Sequence, residues 1–234
     1  MLIKRNANER GLSKTEWLTS FHSFSFGDYF DENHLGFSDL LVINDDIIKP
    51  RSGFNTHAHR DMEIFTYVLE GTLTHKDSIN TNSATIEKGE IQLMSAGSGI
   101  RHSEYNHDLT KAVHLLQIWL RPNQNNLQPG YQQIALSNSA LENNFQLIIS
   151  PTGEKNSLLI HQDAFIYAGI FNQTPHTHKL EKSRFYYIHL ARGKLDLNDM
   201  NLSEGDGVMI TEEDSLTITN SHSAEILLFD LRQI

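Results

Sequence analysis

Short apolar or alternating runs, separated by turn-forming residues, recur along the chain and limit the folds it can adopt. Runs of this kind favour β-strands, and the longer periodicity of amphipathic helices is scarce. In the first half they cover residues 40–43, 63–69, 73–75, 84–86, 91–94 and 112–120. Clusters of Gly, Asn, Asp and Ser at 44–46 and 96–99 are typical of turns between strands. The pattern predicts an all-β sandwich or barrel.

A second series of runs repeats this pattern later in the chain. It covers residues 145–149, 158–160, 165–171, 185–191, 207–210, 215–219 and 226–231. In each series a strand ends in a turn glycine, Gly71 or Gly193, and an acidic turn containing glycine follows. We interpret the polar stretch 122–145, rich in Asn and Gln, as a linker. The sequence therefore predicts two tandem β-domains of common origin, at residues 1–130 and 131–234.

Composition argues against several classes of function. The chain has 29 acidic and 19 basic residues, and this net charge of -10 disfavours nucleic acid as a direct partner, because phosphate binding needs clustered Lys and Arg. Cysteine is absent, which excludes disulfides and thiolate metal sites. The first residues lack the apolar core of a signal peptide, and no run of about 20 apolar residues follows. We therefore expect a cytoplasmic protein without a membrane segment.

Two pairs of potential metal ligands follow glycines at a short distance. His57 and His59 form a His-x-His pair, and His102 and Glu104 form a His-x-Glu pair. Side chains at positions i and i+2 of a strand point to the same face, so each pair can converge on one point. Imidazole and carboxylate together suit several transition metals. These four residues therefore predict a metal centre built across two strands that meet in the folded barrel.

Other histidines in the chain have a more ordinary interpretation. With 13 histidines, some His-x-His pairs arise by chance, and His176 and His178 form one. The first pair differs in context because it directly precedes the apolar run 63–69. We interpret His75 and His114 as structural residues.

The arrangement of these motifs resembles the cupin superfamily. The order of cupin motif one is found in Gly53, His57, His59, Glu63 and Gly71. Motif two resembles Gly89, Ser95 in place of the usual proline, Gly97, His102 and Asn106. His102 comes two residues later than usual, and this shift, with Glu104 beside it, resembles the pirin branch. Segments 21–30, 57–63, 69–73 and 94–97 are also similar to pirin signatures. We interpret the aromatic residues of segment 21–30 as core or interdomain packing.

The resemblance implies a bicupin, with two tandem double-stranded β-helix (jelly-roll) barrels and a mononuclear metal in the first. The implied ligands are His57, His59, His102 and Glu104. Fe(II) is the expected ion, and Zn, Mn, Ni, Cu and Co are alternatives, because this donor set accepts each of them. Glu63 matches a glutamate that ligates in other cupins, so it is an alternative or an outer-sphere ligand.

The second barrel is expected to lack a metal. Counted back from the turn glycines, the position that corresponds to His59 is occupied by Glu181. His176 and His178 are out of register with it, although they could still bind a metal with His222 or Glu225.

The resemblance further implies quercetin 2,3-dioxygenase activity, with a flavonol and dioxygen as substrates and carbon monoxide released. Glu104 is the expected catalytic base. One alternative is a redox-sensitive, metal-binding regulator that acts through a protein partner. Another is a cupin that cleaves flavonols as a side activity and whose natural substrate is another small enol or phenol.

Overall fold

The computed structural model describes residues 1–80 and 82–234. In chain order, the strands of the first half are β1 Leu2–Arg5, β2 Gly11–Lys14, β3 Leu18–His22, β4 Leu40–Ile48, β5 Ser52–His59, β6 Glu63–Glu70, β7 Thr72–Asp77, β8 Ala84–Glu87, β9 Glu90–Ser95, β10 Ile100–Asn106, β11 Val113–Leu120 and β12 Gly130–Ala135. Those that follow are β13 Gln146–Ser150, β14 Leu158–Leu159, β15 Ala164–Phe171, β16 His176–Lys179, β17 Arg184–Leu197, β18 Met200–Ser203, β19 Gly207–Ile210 and β20 Ser215–Arg232. Helical segments are the α-helix α1 Asn138–Leu141 and the 3-10 turns Ala7–Glu9 and Glu154–Asn156. The prediction of an all-β chain is confirmed.

The described residues divide into two compact units. The first unit comprises Gly11–Ala135 and Ile160–Gln162. The second comprises Met1–Arg10, Leu136–Leu159 and Asp163–Ile234. These units differ from the predicted ranges 1–130 and 131–234 because β1 pairs with β19 and β12 pairs with β9.

The first unit contains two antiparallel sheets. The small sheet has the strand order β5-β10-β7-β8, and the large sheet has the order β12-β9-β6-β11-β4-β3-β2 in the described residues. Strand β10 buries every second residue, namely Ile100, His102, Glu104 and Asn106. An apolar cluster of Ile48, Val68, Leu73, Ile86, Val113 and Leu115 joins residues from both sheets. This core fixes the small sheet against the large one, and each fully buried aliphatic side chain contributes roughly 1.5–3 kcal/mol.

The second unit is organised around the long strands β17 and β20, which pair with each other. Its sheet follows the order β1-β19-β17-β20-β15-β13-β14, with β16 on β20 and β18 on β17, as far as the described residues show. The core of this unit includes Phe171, Ile188, Leu190, Ile226 and Leu228, all completely buried. None of the helices in the described part of the chain has the length and apolarity needed to cross a membrane.

Two expectations about loops are wrong. The predicted turn at residues 44–46 lies inside β4. There Oδ1 of Asn44 accepts a hydrogen bond from Nδ1 of His22 (2.7 Å), and Oδ1 of Asp45 accepts one from Nε2 of His114 (2.6 Å). Partners on neighbouring strands thus satisfy polar side chains that resemble a turn in sequence. The predicted linker 122–145 contains β12, an edge strand that has one neighbour, and such strands are often polar.

The close approach of β5 and β10 requires glycine at position 53. A Cβ atom there would lie 2.2 Å from the carbonyl oxygen of Glu104 and 2.6 Å from Cα of Tyr105, both on the β10 backbone. We expect Gly53→Ala to force these strands apart and to lower the free energy of unfolding by about 1–3 kcal/mol. Urea unfolding followed by circular dichroism measures this change. Gly130→Ala is the matched control, because nothing in the described structure lies within 4 Å of its Cβ position. Equal unfolding midpoints for the two variants would contradict the prediction.

Candidate metal centre

The pairing of β5 with β10 brings His57, His59 and His102 together. His102 lies opposite His57, and Ile100 lies opposite His59. The ring centroid of His102 is 4.4 Å from that of His57 and 4.8 Å from that of His59. The centroids of His57 and His59 are 4.8 Å apart. One nitrogen of each ring lies within 4.8 Å of one nitrogen of the others. These histidines are therefore arranged as a group that can share one ion.

Hydrogen bonds leave the appropriate ring nitrogens free. Nδ1 of His57 donates to the carbonyl oxygen of Asn55 at 2.7 Å, so the lone pair of a neutral ring is on Nε2. Nε2 of His102 is buried and has no hydrogen-bond partner in the described structure. A buried nitrogen without a partner is costly, and a metal ion would supply the missing partner. The residues present therefore fit a metal.

Burial favours the neutral form of His59 and His102, which is the form that metal ligation requires. It lowers the pKa of His102 to about 2, with a further contribution from His57, His59 and His75. Burial and the neighbouring His57 likewise lower the pKa of His59 to about 4. Both rings consequently carry a lone pair at neutral pH without competition from protons.

Glu104 lies on the same buried face of β10 as His102, and polar side chains of the large sheet hold its carboxylate. Gln117 donates to Oε2 at 2.6 Å, and Gln92 donates to Oε1 at 2.9 Å. Thr66 donates to Oε1 at 3.4 Å. Burial nonetheless raises the pKa of Glu104 to about 7. The carboxylate is therefore fixed in orientation and easily protonated near neutral pH.

Gln92, Thr66 and Gln117 form a row across the large sheet, which we call the polar row. Thr66 lies opposite Gln92 on β9 and opposite Gln117 on β11. Sequence reasoning missed these residues. Each one is a polar residue with an apolar neighbour on both sides along its strand, and this is the signal that could have revealed them.

The described residues contain two groups of converging ligand atoms, and they share His102. The first group is His57, His59 and His102, and the second is His75, His102 and Glu104, with ligand atoms within 4.8 Å in each. The strand register explains the division. A bulge in the pairing with β5 places Glu104 opposite Phe54, whereas the regular pairing with β7 places it opposite His75. His75, which we interpreted as purely structural, thus lies beside the candidate site.

Glu63 is not brought to the site. It belongs to neither group of ligand atoms in the described residues. Glu63 lies three residues before Thr66 on β6, so the two side chains point to opposite faces of the large sheet. On its own face, Glu63 accepts a hydrogen bond from Ser95 at 2.9 Å. Burial raises the pKa of Glu63 to about 7.

His176 and His178 in the second unit pack against an aromatic residue. Their ring centroids lie 5.6 and 5.2 Å from that of Phe145 and 6.4 Å from each other. Within the described chain they belong to neither group of converging ligand atoms.

An aromatic cavity of about 400 Å³ opens beside the histidines of the first group. Its lining residues are Trp17, Phe26, Gly53, Phe54, Asn55, His57, His59, Gln117 and Trp119. Trp17 packs edge-on against Phe54, and Trp119 packs edge-on against both Phe26 and His59. Phe26 therefore lines a cavity, whereas we expected the aromatic residues of segment 21–30 to serve in packing alone. Gln117 connects this cavity to the carboxylate that it holds.

Comparisons with known proteins agree with this architecture. The sequence model of the pirin family matches residues 4–120, and that of the quercetinase C-terminal cupin domain matches residues 147–231. The fold and the two matching cupin models thus define a bicupin, with the histidine group in its first unit. The chain belongs to the pirin family, as its motifs predicted.

Relatives of known sequence and structure cover nearly the whole chain. A protein of Escherichia coli K12 named quercetin 2,3-dioxygenase is 44% identical over 232 residues, which cover 99% of both chains. The crystal structure of the bacterial pirin YhhW from Escherichia coli in complex with nickel(II) is 42% identical, has a TM-score of 0.94 and covers 100% of both chains. A quercetin 2,3-dioxygenase of Acinetobacter baumannii shares the fold at 17% identity, with a TM-score of 0.77 over 99% of this chain and 85% of that one.

The free ring nitrogens predict how metal affinity responds to substitution. We expect His57→Ala, His59→Ala and His102→Ala each to weaken Ni(II) binding by at least about 100-fold, because loss of a ligand costs no less than loss of an outer-sphere partner. Titration calorimetry with protein purified without a histidine tag measures the affinity. His176→Ala is the control and should bind as the unmodified protein does. Unchanged affinity in any of the first three variants would show that its histidine is not a ligand.

Proposed function

We propose that this protein is a metal-dependent quercetin 2,3-dioxygenase in which His57, His59, His102 and Glu104 bind the ion. The observation that carries the proposal is the convergence of three histidines, one with an unpartnered nitrogen in the described structure, beside an aromatic cavity. The name of the Escherichia coli relative and the nickel(II) complex of a bacterial pirin support it. Fe(II) is the ion we propose for activity, although imidazole and carboxylate also accept Zn, Mn, Ni, Cu and Co. When bound, the ion supplies Lewis acidity toward the 3-hydroxyl and 4-carbonyl oxygens of a flavonol.

The aromatic cavity suits a flat, apolar substrate that carries a few polar groups. Its volume of about 400 Å³ falls within the range of roughly 300–1,000 Å³ found for small-molecule sites. The rings of Trp17, Phe54 and Trp119 can cover the apolar faces of such a molecule and exclude water from it. His57 and His59 line the same cavity, so the substrate would lie with one edge toward the metal ligands.

Glu104 is the base in this proposal, and the polar row sets its position. Gln92 and Gln117 donate to different oxygens of the carboxylate, so the group cannot rotate freely. We infer that Glu104 accepts the proton of the flavonol 3-hydroxyl, and that Gln117, which also lines the cavity, keeps the accepting oxygen directed toward the substrate. Dioxygen then forms bonds to C2 and C4 of the deprotonated flavonol, and the C2–C3 and C3–C4 bonds break. C3 leaves as carbon monoxide with its own oxygen, and both atoms of dioxygen remain in the ring-opened ester.

The test combines product detection with a matched pair of buried glutamates. Protein loaded anaerobically with Fe(II) should release carbon monoxide when quercetin and air are added. Glu104→Gln should lower this rate by about 10²- to 10⁴-fold, the usual contribution of a general base, while metal analysis confirms that the ion is retained. Glu63→Gln changes a carboxyl that is equally buried but lies on the opposite face of the sheet, and it should leave the rate nearly unchanged.

Specific results would contradict the proposal. Absence of carbon monoxide from the unmodified protein with Fe(II) and with the alternative ions would overturn the enzymatic function. An unchanged rate in metal-loaded Glu104→Gln would reject the role of Glu104 as the base while leaving the reaction itself in place.

A further inference from the structure

Strand β7 places a histidine and an aspartate beside β10, on the side away from β5. His75 lies opposite Glu104, and Asp77 lies opposite His102. The His75 side chain is 1% exposed, and its ring centroid is 5.2 Å from that of His102 and 4.9 Å from that of Tyr131. Nδ1 of His75 lies 3.5 Å from Nδ1 of His102, a long hydrogen bond. A chain of polar groups therefore runs from Asp77 through His75 to His102.

The surroundings of Asp77 define the direction of these hydrogen bonds. The backbone N–H groups of Ile79 and Asn80 donate to Oδ1 at 2.9 and 2.8 Å. The side-chain amide of Asn80 donates to Oδ2 at 2.9 Å, and Nε2 of His75 lies 3.0 Å from the same oxygen. Because N–H groups surround it, the carboxylate acts as an acceptor, and Nε2 of His75 carries a hydrogen and donates it.

This direction fixes the tautomers of both histidines. A neutral imidazole with hydrogen on Nε2 has its lone pair on Nδ1, so His75 accepts a hydrogen bond through that atom. The donor is Nδ1 of His102, and the lone pair of the His102 ring is consequently on Nε2. That atom is the buried nitrogen without a hydrogen-bond partner in the described structure.

We propose that Asp77 and His75 form a positioning pair, which holds His102 in the tautomer and orientation that present Nε2 to the metal. The inference rests on the proposed metal site, but it concerns affinity for the ion and does not depend on which reaction follows. An acceptor behind a ligating histidine raises its basicity and limits its rotation. Neither residue touches the substrate or the reacting atoms in this account.

Two substitutions of His75 distinguish its role as a hydrogen-bond acceptor for His102 from its role in filling space. Asparagine can place its amide oxygen near the position of Nδ1 and can accept from His102, whereas leucine has a similar size and no acceptor. We expect His75→Leu to weaken Co(II) binding by about 10- to 100-fold, and His75→Asn to bind Co(II) within a few-fold of the unmodified protein. Both variants lose the contact with Asp77, so a comparable drop in melting temperature is expected for both.

Asp77 offers a second test that preserves the fold of its turn. In Asp77→Asn the remaining oxygen keeps the backbone N–H groups of Ile79 and Asn80, while an NH₂ group replaces the oxygen that faces His75. His75 must then donate through Nδ1, and His102 loses its lone pair on Nε2, so Co(II) affinity should fall by about 10- to 100-fold. Asp108→Asn is the control, because Oδ1 of Asp108 accepts from the backbone of Thr110 and Lys111 in the same way, both at 2.8 Å.

Co(II) titration against a competing chelator, with the visible absorption spectrum of the bound ion, is the measurement. Equal affinities of His75→Leu and His75→Asn, or an Asp77→Asn variant that binds like Asp108→Asn, would overturn the inference. A changed Co(II) spectrum in His75→Asn would overturn it too, because His75 would then be a ligand through the group it forms with His102 and Glu104. Unmodified protein that binds Co(II) but releases no carbon monoxide from quercetin when loaded with Fe(II) or with the alternative ions would contradict the proposed reaction alone.

Discussion

The candidate site depends on the position of β10 between β5 and β7 in the small sheet. Pairing with β5 sets His102 opposite His57, and pairing with β7 sets Asp77 behind it. A single strand thereby fixes the position of the His102 ring relative to His57 and to the hydrogen-bonded pair of His75 and Asp77. Strand alternation turns His102 and Glu104 to the same buried face, while the bulge between them shifts the partner of Glu104. The geometry of the proposed ion site is thus a consequence of strand register, which glycine at position 53 permits.

Burying this many polar groups is unfavourable unless each has a partner. An unsatisfied buried group costs about 1–3 kcal/mol, and more when it is charged. The polar row meets this requirement for Glu104, whose oxygens accept from Gln92, Gln117 and Thr66. Nε2 of His102 has no such partner in the described residues, and in our account the metal provides one. Residues of the apolar cluster in the same unit, such as Val68 and Leu115, supply stability that offsets these costs.

Much of the fold could be predicted from the sequence, because long apolar strands such as β6 and β11 leave an unmistakable pattern. Strands with a polar sequence were harder to predict. The sequence of β12, which is half-buried at a sheet edge, is typical of a linker. The sequence around Asn44 and Asp45 is typical of a turn, although His22 and His114 bind these residues from neighbouring strands. Local composition cannot show a partner that lies on a distant strand.

In the candidate site, too, some residues could be predicted from local sequence and others could not. Spacing and family resemblance predicted His57, His59, His102 and Glu104 as ligands, since two-residue periodicity acts within one strand. The roles of His75, Gln92 and Gln117 depend on which strands are neighbours, and pairing register is a tertiary property. For Gln92 and Gln117 the available signal was a polar residue between two apolar neighbours, and tertiary structure was needed to interpret it.

The central claim is that a single ion binds between His57, His59, His102 and Glu104. An anomalous difference map, collected at the nickel edge from crystals of the Ni(II)-loaded protein, tests it most directly. We predict one peak at about 2.0–2.2 Å from a ring nitrogen of His57, of His59 and of His102 and from a carboxylate oxygen of Glu104, the distances typical of zinc with these ligands. A peak bound by His75, His102 and Glu104 without His57 and His59, or no peak in this unit, would contradict the account.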